Sequence, residues 1–311
     1  MPDFVGHCSS EIFPILPSAH LDRRFLFYWI TNQTTFDAIN ETCTGARMPR
    51  ANVADIFTFP IPLSPLDEQK RIIAVLDAAF AGITRARTHT ETNLQNAREL
   101  FESGLLAVFG GLNDPKDQKL LREVSTEFGR GKSKHRPRND KALYGGDYPF
   151  IQTGDVRNSR HIIAAFSQTY NEVGLTHSKL WPAGTVCITI AANIAETGVL
   201  GFKACFPDSI IGMVPDKAKT SSKYVEYLLQ FFLKRLKALG KGSAQENINL
   251  ATFETEHFPF PSQDVQADAV ERLDQMHSTV YDLESHYRAK LFDLEDLRQS
   301  LLQKAFAGEL T

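Results

Sequence analysis

Two stretches of the chain carry apolar residues at helical spacing and contain no proline. The first runs from residue 66 to 109 and the second from residue 265 to 306. Apolar residues recur every three or four positions in both, which is the pattern of a coiled-coil stripe. A helix of about 44 residues is about 66 Å long, and no small globular core covers that length. We therefore predict two long helices that pack against each other; two unconnected amphipathic core helices are the alternative.

The predicted interface of this helix pair follows the two stripes. It comprises Ile73, Leu76, Phe80, Ile83, Arg87, Leu94 and Phe101 of the first helix and Leu273, Val280, Leu283, Glu284, Tyr287, Leu294 and Leu301 of the second. If the helices are antiparallel with equivalent ends together, the numbers of any two residues in contact add up to about 372. Arg87 would then lie near Glu284 and Tyr287. Arg87 and Thr90 interrupt the stripe, and we interpret them as a polar layer that fixes the register. Simple solvent exposure of Arg87 is the alternative.

Both helices belong to an internal repeat with a period of about 197 residues, which is long enough to indicate duplicated domains. The Phe-Pro-x-Pro element at residues 59–62 recurs at residues 258–261, and Leu76-Asp77 matches Leu273-Asp274. Upstream, Cys8 falls opposite Cys205. The repeat therefore predicts that the two halves of the chain share local structure.

The region between the helices has a different pattern. Short β-like runs are bounded by Gly, Pro, Asn and Asp, and two helical stretches follow them. The β-like runs lie at residues 148–152, 161–165, 185–190 and 199–202, and the helical stretches lie near residues 222–239 and 250–254. We predict a mixed α/β domain over residues 111–262, flanked by long helices at 63–110 and 263–311. Residues 1–62 resemble only its second half, so we expect a partial domain there that lacks its own full core.

Composition narrows the class of protein. The chain has 311 residues, of which 42% are hydrophobic and 23% charged, and a net charge of −3. No run reaches the ~18 to 20 apolar residues of a membrane helix, and the N-terminus lacks the features of a secretory signal. The four cysteines are far apart, which argues against a zinc site or a disulfide scaffold. We therefore expect no metal site and a reducing, cytoplasmic location.

Positive charge is concentrated locally, in residues 129–141. Closely spaced cations in a loop that contains Gly and Pro can neutralise phosphates, and Arg can also pair with guanine. The candidate DNA-binding residues of this segment are Arg130, Lys132, Lys134, Arg136, Arg138 and Lys141. A solvated basic loop without a ligand is the alternative interpretation.

Polar residues in three other segments are further candidates for DNA contact. A strand followed by a Gly-Asp turn would present residues 149–158 on a loop, where Gln and Asn can pair with adenine and Asp with cytosine. The alternatives are that Asp155 caps a turn and that the later residues cap the next helix. The candidates are Gln152, Thr153, Asp155, Arg157 and Asn158, then Asn193, then Lys241, Ser243, Gln245 and Asn247. We expect Trp29 and Trp181 to be core or interface residues.

The order of these motifs resembles the specificity subunits of type I restriction–modification systems. The resemblance rests on PLSPLDEQKRI at residues 62–72, YGGDYPFIQTGDV at 144–156, GSAQENI at 242–248 and LLQKAFAGEL at 301–310. It implies an α+β fold in which target recognition domains are held apart by two antiparallel coiled-coil helices. Each domain would read one half of a bipartite DNA sequence. The partial N-terminal domain departs from this pattern, so we interpret the chain as an N-terminally truncated subunit.

The resemblance also implies the partners. The chain lacks the sequence motifs of amino-methyltransferases, zinc peptidases and serine hydrolases, so we expect no catalytic activity and no bound cofactor. S-adenosylmethionine, ATP and Mg would be bound by the partner subunits. The expected partners are double-stranded DNA, a methyltransferase subunit, a restriction subunit held through the methyltransferase, and either a second copy of this chain or a complementing N-terminal fragment. A recognition-defective structural adaptor is the alternative function.

Overall fold

The computed structural model describes residues 6–9, 12–45, 49–135, 137, 140–191, 195–241 and 250–310, without the side chains of residues 234–241 and 254. The chain divides into two compact units. One comprises Met1–Asn96 with Leu283–Thr311, and the other comprises Ala97–Asp282. Within the described residues, no helix has the length and apolar character that a membrane span requires.

Helices occur along much of the described chain, whereas the strands lie between Gln118 and Pro259. The helices are α1 (Arg23–Thr31), α2 (Gln33–Glu41), α3 (Val53–Ile56), α4 (Leu66–Phe109), α5 (Thr153–Asn158), α6 (Glu172–Thr176), α7 (Ser222–Lys241), α8 (Thr252–Thr255) and α9 (Gln263–Ala307). The strands are β1 (Gln118–Lys119), β2 (Ser125–Arg130), β3 (Tyr144–Phe150), β4 (Ile162–Ile163), β5 (Gln168–Tyr170), β6 (Val186–Thr189), β7 (Thr197–Leu200), β8 (Ile210–Pro215) and β9 (Phe258–Pro259). The prediction of two long helices is confirmed; α9 begins at Gln263, two residues before the apolar stripe at residue 265, and α4 begins at Leu66.

The first unit is helical, and its core lies where α1 contacts the start of α4 and the end of α9. The α1 side chains Phe25 and Tyr28 pack there, and the Phe25 ring lies 5.0 Å from that of Phe306. The buried residues of this core are Phe25, Tyr28, Ile72, Ile73, Leu76, Leu302 and Ala305. Because Leu76 and Leu302 share this core, α4 and α9 are antiparallel here.

The second unit is built on a five-stranded sheet of order β2-β8-β6-β7-β4, in which only the β4–β7 pair is parallel. Successive side chains of a strand point to opposite faces of the sheet. Val186 and Ile188 of β6 accordingly belong to the core shared with α7, α4 and α9, whereas Cys187 packs on the other side with Trp181. Trp181 is 1% exposed and its ring stacks on Phe206, so the prediction of a core role for it is confirmed.

The repeat in the sequence corresponds to a contact that occurs once in each unit. In the first unit, the carboxylate of Asp77 accepts a hydrogen bond from the Tyr28 hydroxyl and pairs with Arg24. In the second unit, Asp274 accepts a hydrogen bond of 2.8 Å from the Tyr227 hydroxyl and pairs with Lys223. The same chemistry therefore joins α1 to α4 and α7 to α9.

A buried glutamine repeats in the same way. The side-chain amide of Gln69 donates to the carbonyl oxygens of His20 (2.9 Å) and Ser64 (2.7 Å). That of Gln266 donates to the carbonyl oxygens of Lys219 (2.9 Å) and Pro261 (2.8 Å). Each glutamine thus ties the first turn of a long helix to the chain segment that precedes the shorter helix. A buried amide needs such partners, so these hydrogen bonds fix the position of the first turn of both long helices.

The predicted register of the helix pair is wrong. The Arg87 guanidinium lies 3.7 Å from Glu295, and not beside Tyr287 or Glu284, whose carboxylate pairs with Arg288. The Arg87 side chain is 56% exposed, so it forms a surface ion pair and not a buried polar layer. Thr90 is the buried polar residue, and its hydroxyl donates to Ala86 of its own helix. A repeating stripe leaves the axial offset open, because a shift of a few residues preserves most apolar contacts.

The predicted interface residues differ in burial. Ile73, Leu76, Leu273 and Val280 are buried, and Phe80, Phe101 and Leu301 pack at the edges of the cores. Ile83, Leu94, Leu283, Tyr287 and Leu294 are half-buried. Leu105 and Leu302 are more deeply buried than most of these, although we did not predict them. Neighbouring elements cover the helix ends, which explains why burial is greatest there.

A buried carboxylate links α7 to the sheet of the second unit. Glu226 is fully buried, and it accepts hydrogen bonds from Thr197 of β7 (3.0 Å) and from Gln230 (2.5 Å). Its other carboxylate oxygen lies 2.6 Å from Nδ1 of His161, and the His161 ring stacks on Tyr227 at 4.5 Å. The His277 ring of α9 lies 6.0 Å from that of His161. Burial lowers the pKa of His277, and the neighbouring His161 lowers it further.

We predict that Asp274→Ala lowers the free energy of unfolding by about 2 to 3 kcal/mol, because the buried Tyr227 hydroxyl loses its acceptor and Lys223 loses its partner. Urea unfolding followed by circular dichroism measures the change. Asp268→Ala is the matched control, since Asp268 pairs with Arg272 on the surface of the same helix. The control should change the free energy by less than about 1 kcal/mol. Equal losses in the two variants would contradict a special role for Asp274.

We also predict a pH dependence that arises from His277. A histidine with a lowered pKa in the folded state binds protons more readily when unfolded, so the free energy of unfolding falls as the pH decreases through about 6.5. His277→Phe places at this position the residue that the first repeat carries as Phe80. Urea unfolding between about pH 7.5 and 5.5 should show a shallower decrease for His277→Phe than for the unaltered chain. His89→Gln, at an exposed position of α4, should retain the original slope. An unchanged slope in His277→Phe would show that His277 does not cause the effect.

Candidate nucleic-acid interface

A cleft of about 770 Å³ opens on the surface of the second unit. Its lining combines residues from separate parts of the chain: Ser133, Lys141, Tyr144, Gly145, Phe150, Gln152, Thr153, Gln168, Pro207 and Ser209. Lys141, Gln152 and Thr153 were predicted as DNA-binding residues from two different segments, and the fold brings them together. Gln168, Ser133, Tyr144 and Ser209 also line the cleft, although none of them was predicted from the sequence.

The basic segment begins in a strand and not in the predicted loop. Gly129 and Arg130 belong to β2, where they pair with Gly212 and Ile211 of β8. The next backbone amides are also bonded, from Gly131 to the Ile210 carbonyl (2.8 Å) and from Lys132 to the Phe206 carbonyl (3.0 Å). The partners are β8 and the Phe206 carbonyl, which are distant in the sequence, so residues 129–141 by themselves do not predict this pairing.

Hydrogen bonds hold the backbone of the basic segment, whereas its basic side chains are exposed. Arg130, Lys132 and Lys134 point into solvent, whereas Ser133 between them is buried. A side chain at Gly131 would meet the Phe206 carbonyl oxygen at 2.3 Å, so the close approach of these segments requires glycine there. Three cations are thus displayed along one ordered segment. Arg136 and Arg138, which we predicted as their neighbours, lie outside the described residues.

Lys141 is positioned by a short turn at the cleft. The carboxylate of Asp140 accepts the Ala142 backbone N–H at 3.0 Å and lies 2.9 Å from Nε2 of His135. The hydrogen bond from Ala142, followed by the contact with His135, lowers the pKa of Asp140. Asp140 therefore stays ionised and caps the turn Lys141–Leu143, which holds Lys141 at the cleft.

Residues 153–158 form α5, which corrects the prediction of a loop after a strand. The Asp155 carboxylate accepts the backbone N–H of Gln152 at 2.8 Å and the hydroxyl of Ser167 at 3.3 Å. The capping alternative for Asp155 is therefore confirmed, because these donors occupy its carboxylate at the start of the helix. Arg157 and Asn158 are exposed at the end of α5.

Gln152 and Gln168 contact each other in the cleft lining. Nε2 of Gln152 donates to Oε1 of Gln168 at 2.6 Å. Gln168 is brought there by pairing between β5 and β3, in which it lies opposite Phe150. The same pair of strands places Tyr170 against Phe150, with ring centroids 4.0 Å apart, and burial raises the pKa of Tyr170 to about 12. A neutral aromatic wall thus supports the polar side of the cleft.

Five further predicted residues fall, wholly or by their side chain, outside what the structure describes. Asn193, Ser243, Gln245 and Asn247 lie outside the described residues, and so does the side chain of Lys241.

Lys179 was not predicted, and its ammonium lies 3.8 Å from the Trp181 ring centroid and pairs with Glu127. Burial lowers the pKa of Lys179. These contacts give Lys179 a structural role in this unit.

The sequence comparisons match most of the chain to one family. The model of the type I restriction modification DNA specificity domain matches residues 3–94 and 121–291. The chain is 22% identical over 331 residues to the StySPI specificity subunit from Salmonella potsdam, covering 98% of this chain and 69% of that protein. It is 22% identical over 332 residues to the EcoBI specificity subunit from Escherichia coli, covering 93% of this chain and 66% of that protein.

Solved structures have the same fold. A chain from a type I R-M system, described for its complex assembly and conformational transition, matches with a TM-score of 0.74 and 23% identity, covering 92% of this chain and 71% of that one. The HsdS subunit from Thermoanaerobacter tengcongensis matches with a TM-score of 0.55 and 21% identity, covering 94% of this chain and 71% of that one. These similarities confirm the predicted fold class.

Proposed function

The chain belongs to the type I restriction modification DNA specificity family, and from this premise we propose that it reads one half of a bipartite DNA target as the non-catalytic subunit of a cytoplasmic complex. The observation that carries the proposal is the cleft of the second unit. Polar Gln152, Thr153 and Gln168 line it together with Lys141. This combination of an amide-rich recess with a cation suits DNA, in which base edges lie between charged backbones.

We assign the two kinds of contact to different residues. The exposed cations Arg130, Lys132 and Lys134 follow an ordered segment and suit contact with consecutive phosphates. The amides of Gln152 and Gln168 suit contact with base edges. Arg157 and Asn158 are exposed at the end of α5, and we retain them as candidates for peripheral contact. Because the whole chain has a net charge of −3, attraction to DNA depends on this local arrangement.

We propose that the long helices dock the methyltransferase subunit, which in turn holds the restriction subunit. Large apolar residues on the outer faces of α4 and α9 support this, because they remain exposed after the two units form their cores. They include Leu100 at 47%, Leu106 at 61%, Phe292 at 68% and Leu297 at 48% exposure. S-adenosylmethionine, ATP and Mg would then bind to those partners and supply the chemistry.

The short helix α1 of the first unit is less covered than its counterpart α7 in the second unit. In the second unit, one face of α7 packs on the sheet through Val225 and Leu229, which are fully buried. The matching residues of α1, Leu26 and Ile30, are only half-buried, and Phe27 is 44% exposed. We propose that two copies of this chain supply two complete recognition domains; a complementing fragment with a β-rich segment that covers α1 is the alternative.

We predict that Lys132→Gln with Lys134→Gln weakens DNA binding by the complex with its methyltransferase subunit. The slope of log K against log salt concentration should become shallower by about two, since each lost phosphate contact accounts for about 0.9. Fluorescence anisotropy with labelled duplex DNA at several salt concentrations measures both quantities. Lys116→Gln with Lys217→Gln removes the same charge at exposed positions outside the basic segment 129–141 and is the control. Equal slopes in both double variants, with intact partner binding, would favour the adaptor function.

We predict a mass of two copies of this chain with two copies of the methyltransferase subunit. Two-fold assembly is expected because each copy contributes one complete recognition domain, and a symmetric interrupted palindrome would then be the target. Light scattering of the purified chain, alone and with the methyltransferase subunit, measures this mass. A complex with one copy of each protein would contradict dimerisation and would leave the complementing fragment as the source of the second domain.

A further inference from the structure

Two glutamines in the cleft are held in fixed positions by the backbone around them. Gln152 precedes the first turn of α5, where its own N–H is bound by Asp155 at 2.8 Å. Gln168 begins β5, and its position is set by the ladder to Phe150 of β3. The side chains then meet through one hydrogen bond of 2.6 Å. Each amide thereby restricts the rotation of the other.

This hydrogen bond determines what the pair offers to a ligand. An amide has one NH₂ donor group and one carbonyl acceptor. The bond between the residues uses one of the two N–H donors of Gln152 and one of the two lone pairs of the Gln168 oxygen, so the carbonyl of Gln152 and the NH₂ of Gln168 remain wholly available. If both amides were turned around, the pair would again have one donor group and one acceptor unused. The pair therefore presents one donor beside one acceptor.

We propose that Gln152 and Gln168 form a preassembled amide pair that recognises one adenine of the DNA target; this rests on the proposed function. In the major groove adenine presents the N7 acceptor beside the N6 donor, which complements one donor and one acceptor. Guanine presents two acceptors, cytosine a donor, and thymine an acceptor with a methyl group. Adenine is thus the base whose edge satisfies both free groups of the pair.

The surroundings of the pair favour base contact over phosphate contact. Lys141 and Thr153 line the same cleft and suit the DNA backbone, so the neutral amides are left for the base. Oδ2 of Asp155 accepts both the Gln152 N–H and the Ser167 hydroxyl, which directs that oxygen to the start of α5 and away from the amides. The amides lose little side-chain freedom on binding, since they already restrain each other in the free protein.

The test uses the complex of this chain with its methyltransferase subunit. Sequencing of methylated bases across a host genome first identifies the target of the unaltered chain. Binding to duplexes that carry this target, or one base replacement at a time, then gives the discrimination at every position. Gln168→Glu replaces the free NH₂ donor with an acceptor at nearly the same size. Gln168→Ala removes the amide without adding charge, and Gln275→Glu makes the same charge change at an exposed position of α9.

We expect both Gln168 variants to lose about 5- to 150-fold of discrimination at a single adenine, corresponding to one bidentate base contact. Gln152→Ala should affect the same position, and Gln275→Glu should affect none. Thermal unfolding of each variant verifies that it is folded.

An unchanged preference at every position, or a uniform loss of affinity over all positions, would overturn the adenine assignment while leaving sequence recognition by the chain intact. An unaltered chain whose complex shows no sequence preference would overturn the proposed function and the amide pair together. These outcomes are distinguishable, because the unaltered chain is measured first.

Discussion

The structure depends on a carboxylate in each long helix that anchors a shorter helix. Asp77 and Asp274 each accept a tyrosine hydroxyl and pair with a cation from one turn of α1 or α7. A hydrogen bond between a partly buried carboxylate and a hydroxyl is directional, so it selects one orientation of the shorter helix where apolar packing alone would accept several. In the second unit this contact positions α7, α7 positions the sheet, and the sheet positions the cleft.

The aspartate contacts of the two units have different surroundings. In the second unit, the buried carboxylate of Glu226 and the ring of His161 connect α7 to the sheet. The corresponding residue of α1 is Phe27, and Phe80 takes the place of His277. Among the described residues, the polar link therefore occurs in the unit that contains the sheet, whereas the aspartate contact occurs in both units. Different residues therefore hold the short helix to the long helix and hold the sheet to the short helix.

At the cleft, the backbone amides and the capping carboxylates form the fold, whereas other side chains remain exposed. Backbone amides of the basic segment are bonded to β8 and the Phe206 carbonyl, and Asp140 and Asp155 cap the turns on either side. The side chains of Lys132, Lys134 and Gln168 take little part in these contacts and remain exposed. Such residues can change without disturbing the core.

Local patterns in the sequence determined the long helices, the repeat and the family. Helical periodicity over residues 66–109 is a property of neighbouring residues, and the Asp77 and Asp274 motifs recur as written. The tertiary structure alone decided that Arg87 meets Glu295, that residues 153–158 are helical and that Gln168 joins Gln152. The first and third depend on an axial offset or a strand ladder between distant segments, and the second depends on a short helix that Asp155 caps. The physical reason is that such pairings are selected by packing of the whole unit, whereas a helix stripe is already encoded within a few turns.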